Sequence, residues 1–332
     1  MSLAELICPA GTPAALRTAV DAGADAVYCG FQDATNARNF PGLNFTPDEL
    51  AEAVTYAHAR GTKVLLALNT YPPAGKVNLW RHAADTGARL GVDAFIVADM
   101  GVADYIARMY PGIRLHLSVQ AAASSPEAIR YYCDNFGVKR VVLPRILTIP
   151  EIRQIRREIP CEIETFIFGN HGLMVERRCS LTNYLTGQST NMDGVCSPAS
   201  DVEYVRDADG SMSSQLAGFT IDRFGPEEKA GYPTICKGRY TAPHRPEGYY
   251  AFEEPVSLNL SRLLPELIEA GVHAFKIEGR QRSKSYVRGV VRAFRAAVDD
   301  IKAGHEANIA DLIALTEGQK QTQGAFDTKK WR

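Results

Sequence analysis

"AGADAVYCG" occupies residues 22–30, and the phrase returns as "LGVDAFIVA" at 90–98, "FGVKRVVLP" at 136–144 and "AGVHAFKIE" at 270–278. "RGTKVLLALN" at 60–69 is a fifth variant. In each, a helix-like segment ends at glycine, which has no Cβ to clash in the left-handed conformation that closes a helix. An apolar run follows, the pattern of a strand buried on both faces in a parallel sheet. Adding apolar runs that lack the glycine places strands near residues 5–8, 26–29, 63–68, 94–97, 114–118, 140–143, 162–167 and 274–277. Helical patterns fill the intervals between the first seven, and Thr46 and Thr148, each followed by a proline, are expected N-caps. Eight strands alternating with helices over roughly 300 residues predict an α/β fold, a (β/α)8 TIM-like barrel. An open doubly wound sheet makes the same local pattern, but no glycine-rich dinucleotide fingerprint follows the first strand.

One connection departs from the pattern. Between the seventh and eighth strands stand residues 168–273, most of them not helical, and they read as an irregular insertion with short strands around an Asp209–Gly210 turn. The expected organisation is residues 1–167 for barrel strands one to seven, 168–273 for the insertion, 274–304 for the eighth strand and final helix, and 305–332 for a tail. Such a connection emerges at the C-terminal face of a barrel, where active sites lie. Cys179, Cys196 and Cys236 all belong to the insertion, which is expected to hold them over the barrel mouth.

Composition narrows the function classes. The 332 residues include 45% hydrophobic side chains, enough for a sizeable core, with 37 basic and 38 acidic groups and a formal net charge of -1. That balance gives no global attraction to nucleic acid or anionic membranes. The longest clear apolar run, "VLLAL" at 64–68, has strand length, and the N-terminus does not read as a secretory signal. Seven cysteines without an export signal point to the reducing cytoplasm, where clustered cysteines more often bind metal than form disulfides. Cys133, on a helical pattern, and Cys161, at the edge of the seventh strand, read as core filling, as do Cys8 and Cys29 at strand ends. Sixteen residues separate Cys179 from Cys196, thirty-nine separate Cys196 from Cys236, and no Cys-x-x-Cys pair occurs. Those spacings leave two readings open: thiolates converging on one metal, or free cysteines packed in an irregular subdomain.

Other polar residues fall where a barrel places ligand-binding groups. Glu278, Arg280 and Arg282 follow the eighth strand in "KIEGRQRSKSYV", Arg38 lies in "TNARNFPGLNF" after the second, and Arg145 follows the sixth. Arginines there offer paired donors for a carboxylate, and the structural alternative is a charged network between Glu278 and its neighbouring arginines. No His-Glu-x-x-His or Gly-x-Ser-x-Gly motif occurs, so peptidase chemistry is not expected, and no catalytic residue is identifiable.

The stretches "CPAGTPAALRTAVDAGADAVYCGF", "TNARNFPGLNF", "RCSLTNYLTG", "CSPA", "AGYPTICKGRY" and "KIEGRQRSKSYV" resemble the collagenase-like peptidase family, over about residues 4–300 and again in the tail "GAFDTKKW". The resemblance implies a cytoplasmic protein that carries a 4Fe–4S cluster and forms a heterodimer with a paralogue, UbiV. It implies oxygen-independent hydroxylation of a ubiquinone precursor, with prephenate as the oxygen donor. The implied ligands are four cysteines. The last three match Cys179, Cys196 and Cys236, whereas the first falls on Gly172. Three thiolates leave one iron open to water, substrate or another side chain, and His171 next door could supply imidazole or could be a solvated loop histidine. Two further readings stay open: hydroxylation of an RNA base, because relatives modify tRNA and ribosomal RNA, and a non-catalytic scaffold for UbiV that has lost its cluster. The balanced charge counts against nucleic acid.

Overall fold

The computed structural model describes residues 4–171, 179–307, 312, 315 and 320–327, and its strands and helices alternate from the start. In order come β1 (Glu5–Pro9), α1 (Pro13–Asp21), β2 (Ala26–Cys29), α2 (Pro47–His58), β3 (Lys63–Leu68), α3 (Asn78–Leu90) and β4 (Ala94–Val97). Then follow α4 (Met100–Met109), β5 (Arg114–Leu117), α5 (Pro126–Phe136), β6 (Arg140–Val142), α6 (Ile149–Glu158) and β7 (Glu162–His171). The insertion contributes α7 (Leu181–Thr186), β8 (Val202–Arg206), β9 (Met212–Leu216), β10 (Phe219–Phe224), β11 (Arg239–Ala242), β12 (Arg245–Tyr250) and β13 (Val256–Asn259). After α8 (Leu264–Glu269) come β14 (Ala274–Ile277), α9 (Lys284–Lys302) and β15 (Lys320–Thr322).

Strands β1 to β7 pair in parallel in sequence order, and β14 pairs in parallel with both β7 and β1. The sheet therefore closes into the expected eight-stranded parallel barrel. The repeated phrase explains much of this. Its glycines, Gly23, Gly61, Gly91, Gly137 and Gly271, take φ between 66° and 101°, where a Cβ would be strained. Two residues after the glycine, the Asp25 and Asp93 carboxylates accept from the Leu6 and Val64 amides, both at 2.7 Å. At the same place His273 Nδ1 accepts from the Ile163 amide at 3.1 Å. The phrase thus ends a helix and also ties the next strand to its neighbour. Thr46 and Thr148 cap α2 and α6 as expected, each in a reciprocal capping box with the glutamate three residues on.

Side chains alternate between the two surfaces of the barrel wall. Outward residues such as Leu6, Val27, Leu66, Phe95 and Phe275 pack under the helices in the main core. Inward, Ile7, Ala26, Tyr28, Leu65, Ala67, Ala94, Ile96 and Ala274 fill one side. The other side is charged. Arg140 lies buried with Glu5 at 2.6 Å, Glu162 at 2.7 Å and Glu164 at 3.5 Å, and Lys276 Nζ lies 2.5 Å from Glu164 Oε1.

Beside these groups lies His116, buried with Nε2 3.5 Å from Arg114 Nε. Burial, followed by the cations Arg140, Arg114 and Lys276, holds its pKa well below 6.5. The folded state therefore resists a proton that the unfolded chain accepts once pH falls through 6.5. Stability should drop below that pH by about 1.4 kcal/mol per pH unit until the folded imidazole itself titrates. Denaturant melts between pH 7.5 and 5.5 check this. His116→Gln should flatten the slope, and an unchanged slope would show that other groups cause it.

The insertion consists of an antiparallel three-stranded sheet, β10-β9-β8, and a β11–β12 hairpin. The Asp209–Gly210 turn joins β8 to β9, with Gly210 at φ 86°. Amides of Asn39 and Tyr71, on the loops after β2 and β3, donate to the Gly194 and Asn191 carbonyls at 3.2 and 3.0 Å. Those contacts hold the middle of the insertion against the C-terminal face. β7 runs past its expected end at 167, and its last residues pair antiparallel with β13, on which β15 adds in parallel. Phe326 is buried, and its carbonyl accepts from the Ile149 amide at 2.9 Å. Among the described residues, no helix is long and apolar enough to cross a membrane.

Candidate functional site

A cavity opens at the C-terminal ends of the strands, and its lining includes Arg38, Arg145, Lys276, Arg280 and Glu278. Four cations thus face one carboxylate among the described lining residues. Glu278 lies directly after β14 and receives Arg38 Nη2 at 2.9 Å on one oxygen and Arg145 Nη2 at 2.8 Å on the other. It holds the two guanidinium groups apart, as a bridging carboxylate does. Arg145 is further fixed by lying 3.7 Å over the Phe166 ring. Arg280 Nη1 donates to Asn36 Oδ1 at 3.2 Å, and Asn36 in turn donates to the Phe31 carbonyl at 2.6 Å.

Lys276 lies on β14, two residues before Glu278, with its ammonium 4.1 Å from the centre of the Tyr28 ring. Burial pulls its pKa below the usual lysine value, although Glu164 opposes this. The Tyr28 hydroxyl donates to the Ile277 carbonyl at 2.9 Å, and burial pushes its pKa up. Asn69 donates to Ser118 Oγ at 3.1 Å, which also accepts from the Gln120 amide at 3.2 Å. Among the described residues no histidine is hydrogen-bonded to that serine.

The insertion carries Cys179, Cys196 and Cys236. The Cys236 thiol is pushed up to about 11 by burial, then by Glu253, and then by the charges of Cys196 and Cys179. Among the described residues none of the three is in a disulfide, and all are partly buried. The Thr182 hydroxyl donates to the Cys196 carbonyl at 2.7 Å and Thr190 to that of Cys179 at 3.2 Å, so two of the cysteines are positioned through their backbone. Cys236 sits in a single turn, Ile235–Lys237, whose Lys237 ammonium reaches Glu253 and the His171 carbonyl, both at 2.8 Å. Among the described residues, no three His, Cys, Asp or Glu side chains stand in a metal-holding arrangement. Gly172 lies outside the described residues.

Sequence expectation and structure differ in detail. Arg38, Arg145, Glu278 and Arg280 meet at the mouth, but the network around Glu278 uses Arg38 and Arg145 rather than its neighbours Arg280 and Arg282. Arg282 lies 5.3 Å from the centre of the Tyr286 ring and is not among the lining residues of the mouth. His171 is not a solvated loop residue. It is buried at the end of β7, and a Cβ on Gly324 would lie 3.0 Å from its Cε1. Burial, then Arg145 and Lys237, lower its pKa to about 4. Sequence reasoning missed Lys276 and Glu164. The available signal was a charged residue at an inward position of an otherwise apolar strand run.

The sequence model of peptidase family U32 matches residues 11–329. The chain is 31% identical over 330 residues to tRNA hydroxylation protein P of Escherichia coli strain K12, across 95% of this chain and 72% of that protein. It is 30% identical over 316 residues to tRNA hydroxylation protein P1 of Bacillus subtilis strain 168, across 95% and 68%. It is also 30% identical over 333 residues to an uncharacterized protease of Methanocaldococcus jannaschii, across 99% and 73%. A match over nearly the whole chain, joined to a closed barrel with a cysteine-bearing insertion at its mouth, makes this protein a member of peptidase family U32.

Proposed function

We propose that the protein is the iron–sulfur subunit of an oxygen-independent hydroxylase in ubiquinone biosynthesis, of the UbiU type, acting with UbiV and taking oxygen from prephenate. The observation that carries this reading is a set of three cysteines, none in a disulfide among the described residues, on an insertion held against the barrel face where four cations line a mouth. The donor set suits iron–sulfur chemistry, since thiolates are the preferred ligands of such clusters and nothing else is bonded to these sulfurs as a disulfide. Cys179, Cys196 and Cys236 would hold the cluster, with the position of Gly172 or His171 completing the set. When bound, a cluster with three thiolates supplies one-electron chemistry and an iron able to act as a Lewis acid.

The chain's own residues bind and orient. Arg38, Arg145 and Arg280 can each engage a carboxylate, and a donor with two carboxylates can replace Glu278 as the bridge. Lys276, below them, adds positive charge at the cavity floor. Arg38→Gln or Arg280→Gln should weaken binding of prephenate by about 10- to 100-fold, the loss of one charged hydrogen bond. Titration calorimetry on the folded variants measures it, and affinities equal to wild type would remove the arginines from the site.

Hydroxylation of an RNA base is the second reading, favoured by the names of the E. coli and B. subtilis relatives. Deleting the gene and growing the host without oxygen separates the two. Accumulation of an unhydroxylated ubiquinone precursor with normal tRNA supports the proposal. Loss of a hydroxylated base with normal ubiquinone supports the RNA reading. A protein that restores ubiquinone and stabilises UbiV without ever binding iron would be the scaffold.

A further inference from the structure

Two cysteines that neither the mouth nor the insertion uses meet on the opposite side of the barrel. Cys133 lies on α5 and Cys161 directly before β7, and both line a cavity of about 320 Å³ with Arg114, Lys139 and Glu162. Arg114 and Glu162 begin β5 and β7, so this cavity is at the N-terminal face of the parallel barrel, away from the cationic mouth. Both cysteines line this one cavity, and each thiol shifts the titration of the other. Cys161 is buried, whereas Cys133 is half-buried and faces the cavity.

The electronic asymmetry follows from this geometry. Cys161 lowers the pKa of Cys133, with help from nearby Lys139 and against burial and Asp134. Cys133, then burial, raises that of Cys161. A thiolate-prone, accessible sulfur beside a buried protonated one is the arrangement of an attacking and a resolving cysteine. Core filling, the reading from sequence, does not explain why the two cysteines share one cavity.

We propose that Cys133 and Cys161 form a reversible dithiol–disulfide pair that reacts with hydroperoxides. The Cys133 thiolate attacks the O–O bond; an S–O bond forms, the O–O bond breaks, and the leaving hydroxide takes a proton to become water. The Cys161 sulfur then attacks the Cys133 sulfenic acid. An S–S bond forms, the S–O bond breaks, and the departing hydroxide takes the Cys161 proton as a second water. Two thiols and one hydrogen peroxide give one disulfide and two waters, and an external dithiol reverses it.

The test uses the full chain, treated with equimolar hydrogen peroxide, alkylated and digested with trypsin. Cys133 then lies in peptide 131–139 and Cys161 in peptide 158–177, each with a single cysteine. The expected product is a disulfide-linked pair of these peptides in most molecules, returned to free thiols by dithiothreitol. Cys161→Ser should leave Cys133 as a sulfenic acid trapped by dimedone, and Cys133→Ser should slow Cys161 oxidation at least tenfold. Circular dichroism confirms that both variants fold. Both peptides recovered as free thiols, Cys133 linked only to a second chain, or Cys161 oxidising at the wild-type rate in Cys133→Ser would each overturn the proposal.

Discussion

Replacing Cys179, Cys196 or Cys236 by serine is expected to abolish most iron binding when the protein is reconstituted without oxygen. Serine keeps the shape of the side chain but offers a hard oxygen in place of a soft thiolate, and iron–sulfur clusters select for thiolates. With only three thiols in the insertion, losing one leaves two, too few to anchor a cube. Cys133→Ser and Cys161→Ser serve as controls and should retain iron, because their pair sits at the N-terminal face. Gly172→Cys restores the ligand that the family resemblance implies and should lengthen the life of the cluster in air. His171→Ala separates the two options for the fourth position: iron retained leaves that position open or filled by solute. Iron lost from His171→Ala would instead make the imidazole a ligand. Iron and sulfide per chain give the readout. Wild-type protein that takes up no iron, or serine variants that match it, would sink the cluster reading and leave the insertion thiols structural.

Glu164→Gln should produce the largest loss of stability of any single change in the barrel interior. Glu164 is fully buried, 2.5 Å from Lys276 and 3.5 Å from Arg140. Glutamine fills the same space but removes the charge paired with Lys276, while Arg140 keeps Glu5 and Glu162. Breaking a buried pair by removing one partner costs about 3–5 kcal/mol, mostly from the charge left behind. At roughly 2–4 °C per kcal/mol for a chain of this class, melting should fall by about 10 °C. Adding Lys276→Met should recover part of the loss, because the uncompensated ammonium is then gone. A double-mutant cycle measures this. A drop below about 1 kcal/mol for Glu164→Gln would mean that the cations are rescued by water or by other carboxylates.

The barrel was legible because one local device recurs. A helix-ending glycine and an apolar strand are coded within a few residues, and repetition makes the register readable. The second role of that phrase, the Asp25, Asp93 and His273 side chains on neighbouring strand amides, depends on which strands become neighbours and could be seen only afterwards. Arg38, Arg145 and Arg280 were legible as mouth residues because they follow strand ends. Their arrangement around Glu278 was not, since Arg38 and Glu278 are 240 positions apart. Lys276 and Glu164 were hidden by apolar surroundings that make a strand look uniformly buried. How Cys179, Cys196 and Cys236 lie relative to one another depends on how an irregular loop folds, and spacing carries no record of that.

One strand has a part in two structures. Over Glu164–Phe168, β7 pairs with β14 to close the barrel, and over Phe168–His171 it pairs with β13 at the root of the insertion. At the changeover Gly169 has φ +123°, and a Cβ there would come within 2.7 Å of Glu278 Cβ. The root is thus a hydrogen-bonded ribbon continuous with the barrel wall rather than a free hinge. Swinging the thiol-bearing segment as a lid would require bending the wall or unzipping the ribbon, and either would disturb Glu278. The loops after β2 and β3 hold the insertion through backbone bonds at Asn39 and Tyr71, so this part of its attachment can loosen without disturbing the ribbon or Glu278.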